Sequence, residues 1–182
     1  MSLTFSRRSF LKYTAVAAVA VAGSSLLTGC KDNPYQPTGT IGSTLTIMGD
    51  FTLKNATLDA TTNKMTCTMT FKCTSKRNLH VTSSCFQIDV TSKDGKKVTT
   101  YNKDQAANKD VSLLTENKDL AKDETLNTEL YVDHMNALED GCTVEIKYWP
   151  RAQSSEGLLG YTEAYATWTM KYDAAKRAFV KV

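Results

Sequence analysis

Residues 64–74 read "KMTCTMTFKCT", and the strict alternation of this stretch decides the fold class. One face of the extended chain carries Met65, Cys67, Met69, Phe71 and Cys73, and the other carries the residues between them, Thr66, Thr68, Thr70 and Lys72. A period of two with one apolar face is typical of a strand that packs on a core on one side and meets water on the other. The stretch therefore predicts a long, half-buried β-strand.

The same period recurs along the rest of the chain. Residues 142–149 alternate Cys, Val, Ile and Tyr with Thr, Glu, Lys and Trp, and Asp94-Gly95 supplies a hairpin turn within residues 85–102. Residues 164–182 predict a closing hairpin that turns at residues 173–177. Seven to nine short strands with such turn signals predict an all-β protein, an antiparallel β-sandwich over residues 44–182.

Two blocks of the sequence carry a resemblance. They are "MTCTMTFKCTSKRN" with the following F-x-I-D-V-x-x-x-D-G-K, and "L-x-x-x-L-Y-V" with the following C-T-V-E-I-K-Y. Across residues 44–150 the chain resembles the small immunoglobulin-like sandwich lipoproteins and secreted antigens of Gram-positive bacteria, a group largely of unknown function. The resemblance implies an immunoglobulin-like type of sandwich and a location outside the cytoplasm.

The N-terminal segment predicts export. "SRRSFLK", residues 6–12, resembles a twin-arginine signal through Arg7 and Arg8, and a mildly apolar run follows over residues 13–27. That run has 15 residues, whereas a spanning helix needs about 20. A basic start, a short apolar run and small residues at its end indicate a signal peptide, residues 1–29, that is removed.

"LTGC", residues 27–30, resembles a bacterial lipobox and follows directly on that run. We expect Cys30 to receive diacylglycerol and fatty acyl chains such as palmitate, because two or more chains hold a protein stably on a membrane. Residues 30–43, rich in Pro, Gly and polar side chains, predict the lipidated cysteine and a flexible tether of roughly 40 Å. The expected location is extracytoplasmic, anchored by lipid to the bacterial cell membrane.

Charge excludes one class of partner. Removing residues 1–29 takes away three of the 22 basic residues and none of the 19 acidic ones, which leaves 19 of each. A nucleic-acid-binding protein shows a basic surplus, so no nucleic acid is expected as a partner. One domain of about 140 residues is large enough to bury its own core, and we expect it to be monomeric.

Four cysteines remain in the mature chain after Cys30, and an even number outside the cytoplasm predicts disulfides. Cys67 and Cys73 lie about 20 Å apart on one strand, too far to pair with each other. The favoured pairs are Cys73–Cys85 and Cys67–Cys142, and the swapped pairing stays open.

The sequence contains few candidate catalytic or metal-binding residues. A zinc site is the alternative use of Cys73, His80 and Cys85, although their spacing lacks the short C-x2-C pairs of structural zinc sites. His80 and His134 are the only histidines, and no G-x-S-x-G motif is present. We therefore expect no enzymatic activity, no catalytic residues and no cofactor other than the covalent lipid. A metal-binding or redox accessory role is the alternative function.

One surface is a candidate for recognition. The stretch "PRAQSSEGLLG", residues 150–160, is expected to be a loop that connects two paired strands. Exposed aromatic and apolar side chains around a loop can mark a binding surface. The candidate residues are Trp149, Leu158, Leu159, Tyr161 and Tyr165. The predicted function is a membrane-anchored binding module whose partner is an unknown protein or small ligand.

Overall fold

The computed structural model describes residues 35–102, 110–154, 157–160 and 164–182, with the backbone alone for 153–154 and 157–160. The described residues form fifteen strands and one 3-10 turn, Ser83–Cys85. Within these ranges there is no helix of the length and apolar character needed to cross a bilayer. The strands are β1 Thr38–Gly39, β2 Thr44–Thr46, β3 Gly49–Asp59, β4 Lys64–Cys73, β5 Leu79–Val81, β6 Phe86–Thr91, β7 Lys97–Asn102, β8 Val111–Leu113, β9 Lys118–Leu120, β10 Thr125–Val132, β11 Thr143–Tyr148, β12 Arg151–Ser154, β13 Gly157–Gly160, β14 Ala166–Asp173 and β15 Ala178–Lys181.

Eleven strands form one sheet whose main path runs β7-β6-β11-β14-β15-β3-β4-β10-β8, with β1 beside β14 and β2 beside β3. All of its pairs are antiparallel except β1 with β14. The sheet folds over on itself as a sandwich that approaches a barrel. The all-β antiparallel prediction is therefore confirmed. The immunoglobulin-like type is not confirmed, because one continuous hydrogen-bonded path links the two layers.

The alternation that predicts β4 is what builds the core. All five apolar residues of β4 are buried, and the threonines between them are half-exposed. Rings from the two layers meet inside, with Phe71 of β4 6.1 Å from Phe86 of β6 and Phe51 of β3 4.9 Å from Tyr148 of β11, both edge-on. Burial of such large apolar faces is the main stabilising contribution to a sandwich of this size.

Both predicted hairpins are present. β6 pairs with β7 around Gly95, whose φ of +82° is the left-handed conformation that glycine adopts without strain. β14 pairs with β15 around residues 174–177. Seven of the fifteen strands have six or more residues, which corresponds to the strands that the alternating pattern could reveal. The others are too short to show a period.

The predicted flexible tether is wrong over residues 35–43. Tyr165 N–H donates to the Tyr35 carbonyl (2.9 Å) and Thr167 N–H donates to the Pro37 carbonyl (3.0 Å). β1 continues this contact in parallel with β14, and the Trp168 indole N–H donates to the Ser43 carbonyl (3.2 Å). The composition is that of a linker, but its backbone groups bond to a strand. Backbone contacts with the sandwich thus reach back at least to Tyr35, nine residues before the predicted Thr44.

The predicted connecting loop at residues 150–160 is also wrong. β12 and β13 form a hairpin, and β12 pairs with β5. A second sheet results, with the order β13-β12-β5-β9. The pairing of β11 with β14 that the loop was expected to connect is present. Pro150 and the serine- and glycine-rich composition conceal the hairpin, since its partner strand lies 70 residues earlier.

Candidate functional site

Trp149 and Tyr165 are the predicted surface residues that the structure brings together. The register of β11 with β14 ends with Tyr148 opposite Ala166, so the next residue on each chain continues the pair. Their ring centroids lie 5.1 Å apart with planes tilted by 37°. Such an offset arrangement contributes about 1 kcal/mol beyond burial. We call Trp149 and Tyr165 the aromatic pair.

The backbone holds the aromatic pair from both sides. Trp149 N–H donates to the Cys85 carbonyl at 2.9 Å, and Tyr165 N–H donates to the Tyr35 carbonyl at 2.9 Å. Both side chains are half-buried, so part of each ring faces solvent. The pair is therefore a preorganised apolar surface with polar N–H and O–H groups, the combination that favours recognition at low entropic cost.

The other predicted surface residues are only partly described. Leu158 and Leu159 lie on β13 in the hairpin that follows Trp149, and their side chains are not described. Tyr161 lies outside the described residues. The residue that sequence reasoning missed is Tyr35, which is 64% exposed and whose backbone is bonded to Tyr165. An aromatic side chain in an apparent linker was the available signal.

A rigid aromatic cluster lies beneath the pair. Tyr148 precedes Trp149, and its ring packs against Phe86 at 4.8 Å, Phe51 at 4.9 Å and Phe71 at 5.2 Å. Its hydroxyl is buried without a hydrogen-bond partner among the described residues. Burial accordingly raises the pKa of Tyr148 well above its ordinary value. The cluster fixes the end of β11, and with it the direction in which Trp149 leaves the sandwich.

The four predicted disulfide cysteines are buried and are not joined in disulfides in the structure, so neither pairing is confirmed. Cys73 Sγ lies 3.3 Å from the Arg77 carbonyl, and the Sγ of Cys142 accepts the Glu139 N–H at 3.4 Å. Burial alone raises the pKa of Cys67 far above its ordinary value, which makes that thiol a poor nucleophile.

Ring contacts between the two layers show which cysteines share an end of the sandwich. Phe71, two residues before Cys73, has its ring 6.1 Å from that of Phe86, which directly follows Cys85. Cys142 precedes β11, the strand that ends at Tyr148 six residues later, a distance of about 20 Å. Cys73 therefore lies toward the Cys85 end of the sandwich and away from Cys142.

His80, the histidine of the alternative zinc site, is paired with a carboxylate. His80 lies on β5 with its Nδ1 2.7 Å from Asp119 Oδ1 across the strand pair, while Cys73 is turned to a backbone carbonyl. Across residues 35–102, 110–154, 157–160 and 164–182, no three side chains of the metal-binding types form a cluster. The structure thus does not bring Cys73, His80 and Cys85 together as a ligand set.

Neither histidine forms a catalytic constellation in the described part of the chain. An Asp–His pair such as Asp119–His80 is the orienting half of a catalytic triad, but no described hydroxyl or thiol is hydrogen-bonded to His80. His134 is exposed and its Nδ1 lies 3.2 Å from Asp110 Oδ1.

The most perturbed carboxylate is also structurally satisfied. Asp89, buried on the outer side of β6, accepts hydrogen bonds from Thr100 (2.6 Å), Gln87 (2.9 Å) and Lys147 (2.9 Å). Lys97 Nζ lies 3.1 Å from Asp89 Oδ1, the oxygen that also accepts the Thr100 hydroxyl. Burial by itself would raise the pKa of Asp89, but these donors outweigh it and hold the pKa well below its ordinary value. A fully bonded carboxylate that stays ionised near neutral pH has no proton to donate.

Comparison with known proteins adds the export signal and no more. Residues 4–24 match the TAT (twin-arginine translocation) pathway signal sequence, which places the mature protein outside the cytoplasm. No curated protein matches the chain. The crystal structure of a candidate lipoprotein, YcdA of Bacillus subtilis subsp. subtilis str. 168, is similar over 68% of this chain at 14% identity, with a TM-score of 0.43. The chain spans 36% of the length of that protein.

Proposed function

We propose that this exported protein is a lipid-anchored binding module. It is held on the outer face of the cell membrane by diacylglycerol on Cys30, and it contacts a partner through the aromatic pair. The observation that supports this proposal most directly is the preorganised, half-exposed pair of Trp149 and Tyr165 on a domain that follows a twin-arginine signal and "LTGC". The protein has no catalytic role in this proposal, and both histidines serve as partners of carboxylates.

The lipid is tested by replacing its attachment site. Wild-type protein expressed in its own type of cell should take up an alkyne-labelled palmitate and sediment with membranes. Cys30→Ser should lose both the label and the membrane association, because the other four cysteines are buried and cannot be acylated. Cys142→Ser is the control and should keep the label. Equal labelling of wild type and Cys30→Ser would overturn the anchor.

Contact through the aromatic pair is tested by photocrosslinking in intact cells. A benzophenone amino acid at position 149 should give a defined adduct, whereas the same group at position 98 should not. Val98 is a suitable control because it is 44% exposed and lies on β7, away from the β11–β14 pair. The adduct should disappear when Tyr165→Ala is added. Identical adducts from both positions would contradict a specific surface.

Oxidation of the thiols after export is part of the same proposal. Cys73–Cys85 is the first pair expected, because the neighbouring rings of Phe71 and Phe86 lie 6.1 Å apart, and Cys67–Cys142 is the second. Unreduced protein from the exported fraction should then be lighter by four hydrogens than reduced protein, and peptide mapping should recover the 73–85 link. Four free thiols in the exported protein would contradict this expectation.

A further inference from the structure

Chain length limits how far the ordered domain can lie from a lipid on Cys30. Only five residue steps separate Cys30 from Tyr35, where the described domain begins. Even a fully extended chain covers at most ~18 Å in five steps. A domain of about 150 residues is roughly 38 Å across. The connection is thus shorter than half the protein it holds, and the face that bears Tyr35 stays beside the bilayer.

That face carries aromatic side chains. Tyr35 is 64% exposed, and it is the aromatic member of the four large exposed hydrophobic residues in the described ranges. Its carbonyl accepts the Tyr165 N–H at 2.9 Å, and the Tyr165 ring packs on Trp149 at 5.1 Å. We call Tyr35, Trp149 and Tyr165 the anchor face. Three aromatic residues from distant parts of the sequence are thus linked, Tyr35 to Tyr165 through a backbone hydrogen bond and Tyr165 to Trp149 through ring packing.

The chemistry of the anchor face suits a headgroup layer. Tyrosine and tryptophan are enriched where membrane meets water, because the ring is apolar and the O–H or N–H group still finds a polar partner. The headgroup layer of one leaflet is about 5–8 Å thick, which is well within reach of the short connection.

We propose that the anchor face docks on the lipid headgroups of the membrane that holds Cys30, so that the partner of the aromatic pair is the bilayer itself. This inference rests on the lipidation proposed above. Docking would fix the orientation of the domain and direct the Asp94–Gly95 turn, at the far end of β6 from Trp149, toward other partners. The lipid chain holds the protein, and the rings determine which side faces the membrane.

Tryptophan fluorescence tests this directly, because the second tryptophan, Trp168, is fully buried. Lipidated protein is incorporated into vesicles of phosphatidylethanolamine and phosphatidylglycerol that carry a headgroup spin label. Emission should fall by about a third to a half relative to unlabelled vesicles, since surface-accessible rings at the interface meet the label. Lipidated Trp149→Phe, whose emission comes from Trp168 alone, should lose less than about one tenth. Equal quenching in the two proteins would overturn the proposal.

Two further variants separate docking from mere attachment. Inserting twenty Gly/Ser residues between Pro34 and Tyr35 keeps the lipid but lowers the effective concentration of the anchor face at the membrane surface. Quenching should therefore drop about twofold or more. Tyr35→Ser should lower it as well, whereas Leu114→Ser, an equally exposed control at 63%, should not. Unchanged quenching in the insertion variant would overturn the role of the short connection.

The outcomes distinguish this inference from the proposed function. Protein that fails to float with vesicles when Cys30 is intact contradicts the lipid anchor. Protein that floats, but whose Trp149 emission is unaffected by the headgroup label, keeps the anchor and contradicts docking. In that second case, a crosslink from position 149 to a protein would assign the aromatic pair to a protein partner and not to lipid.

Discussion

A buried polar group has hydrogen-bond partners on the outer face of the β6–β11 pair and lacks them on the inner face, among the described residues. On the outer face, the carboxylate of Asp89 receives hydrogen bonds or ion pairs from four side chains. On the inner face, the hydroxyl of Tyr148 has no partner among the described residues. The charged group is retained because it is fully paired, and the neutral one because its ring packs well. The comparison indicates that stability comes from the rings inside and from the ion network outside.

The largest effect should come from removing a ring on the inner face. Phe71→Ala deletes a side chain that contacts Phe51, Phe86 and Tyr148, and leaves a cavity that the two layers cannot close. We expect the free energy of unfolding to fall by ~3–5 kcal/mol. Urea denaturation of the unlipidated mature chain measures it.

The matched control for that variant is Val98→Ala, on a 44%-exposed position of β7, which should change the free energy by no more than ~0.5 kcal/mol. A Phe71→Ala protein within 1 kcal/mol of wild type would show that the inner face is not the main source of stability.

Removing the carboxylate on the outer face should have the next largest effect. Asp89→Ala leaves the ammonium of Lys147, itself only 24% exposed, without its closest partner. We expect a loss of ~2 kcal/mol, because a partly buried charge that loses its counter-ion pays a desolvation cost. Asp94→Ala is the control, since Asp94 lies in the same hairpin with a 63%-exposed side chain. Equal losses in the two variants would contradict the special role of Asp89.

Acid should weaken the ion network of the outer face. The pKa of Asp89 is lower in the folded protein than in the unfolded chain, so its contribution is complete above about pH 4 and is lost as the pH falls further. Stability of the wild type should therefore decline below pH 4. The Asp89→Asn variant should decline less steeply, through Asp59, Asp94 and Asp173, whose pKa values are also lowered. Parallel declines in urea titrations at pH 7, 4 and 3 would refute this assignment.

These two faces also show what the sequence can reveal. Alternation along residues 64–73 and 142–149 identifies which side chains turn inward, because a period of two is local information. It also put Trp149 and Tyr165 on the surface side of their strands. It cannot show that Asp89 meets Lys147, or that Tyr35 meets Tyr165, because those contacts depend on pairing between strands that lie far apart in the chain.

The misread segments have the same cause. Residues 35–43 and 150–160 have the composition of linkers and loops, but each bonds to a strand that was complete without it, β14 in one case and β5 in the other. Backbone hydrogen bonds do not depend on side-chain type, so glycine, proline and serine conceal them. Tyr35 was therefore missed as a site residue, although its carbonyl accepts a hydrogen bond from Tyr165 N–H.

The smallest expected effect is the sharpest test of the comparison. Tyr148→Phe removes a hydroxyl that has no described partner and keeps the ring against Phe51, Phe71 and Phe86. Since no hydrogen bond is lost and the burial of a polar group is relieved, the free energy of unfolding should stay within ~0.5 kcal/mol of wild type or rise. The matched control is Tyr101→Phe, because the Tyr101 hydroxyl donates to the His134 carbonyl at 3.0 Å. That variant should lose ~1 kcal/mol. If Tyr148→Phe is the more damaging of the two, the inner face depends on a polar contact after all, and the contrast with Asp89 fails.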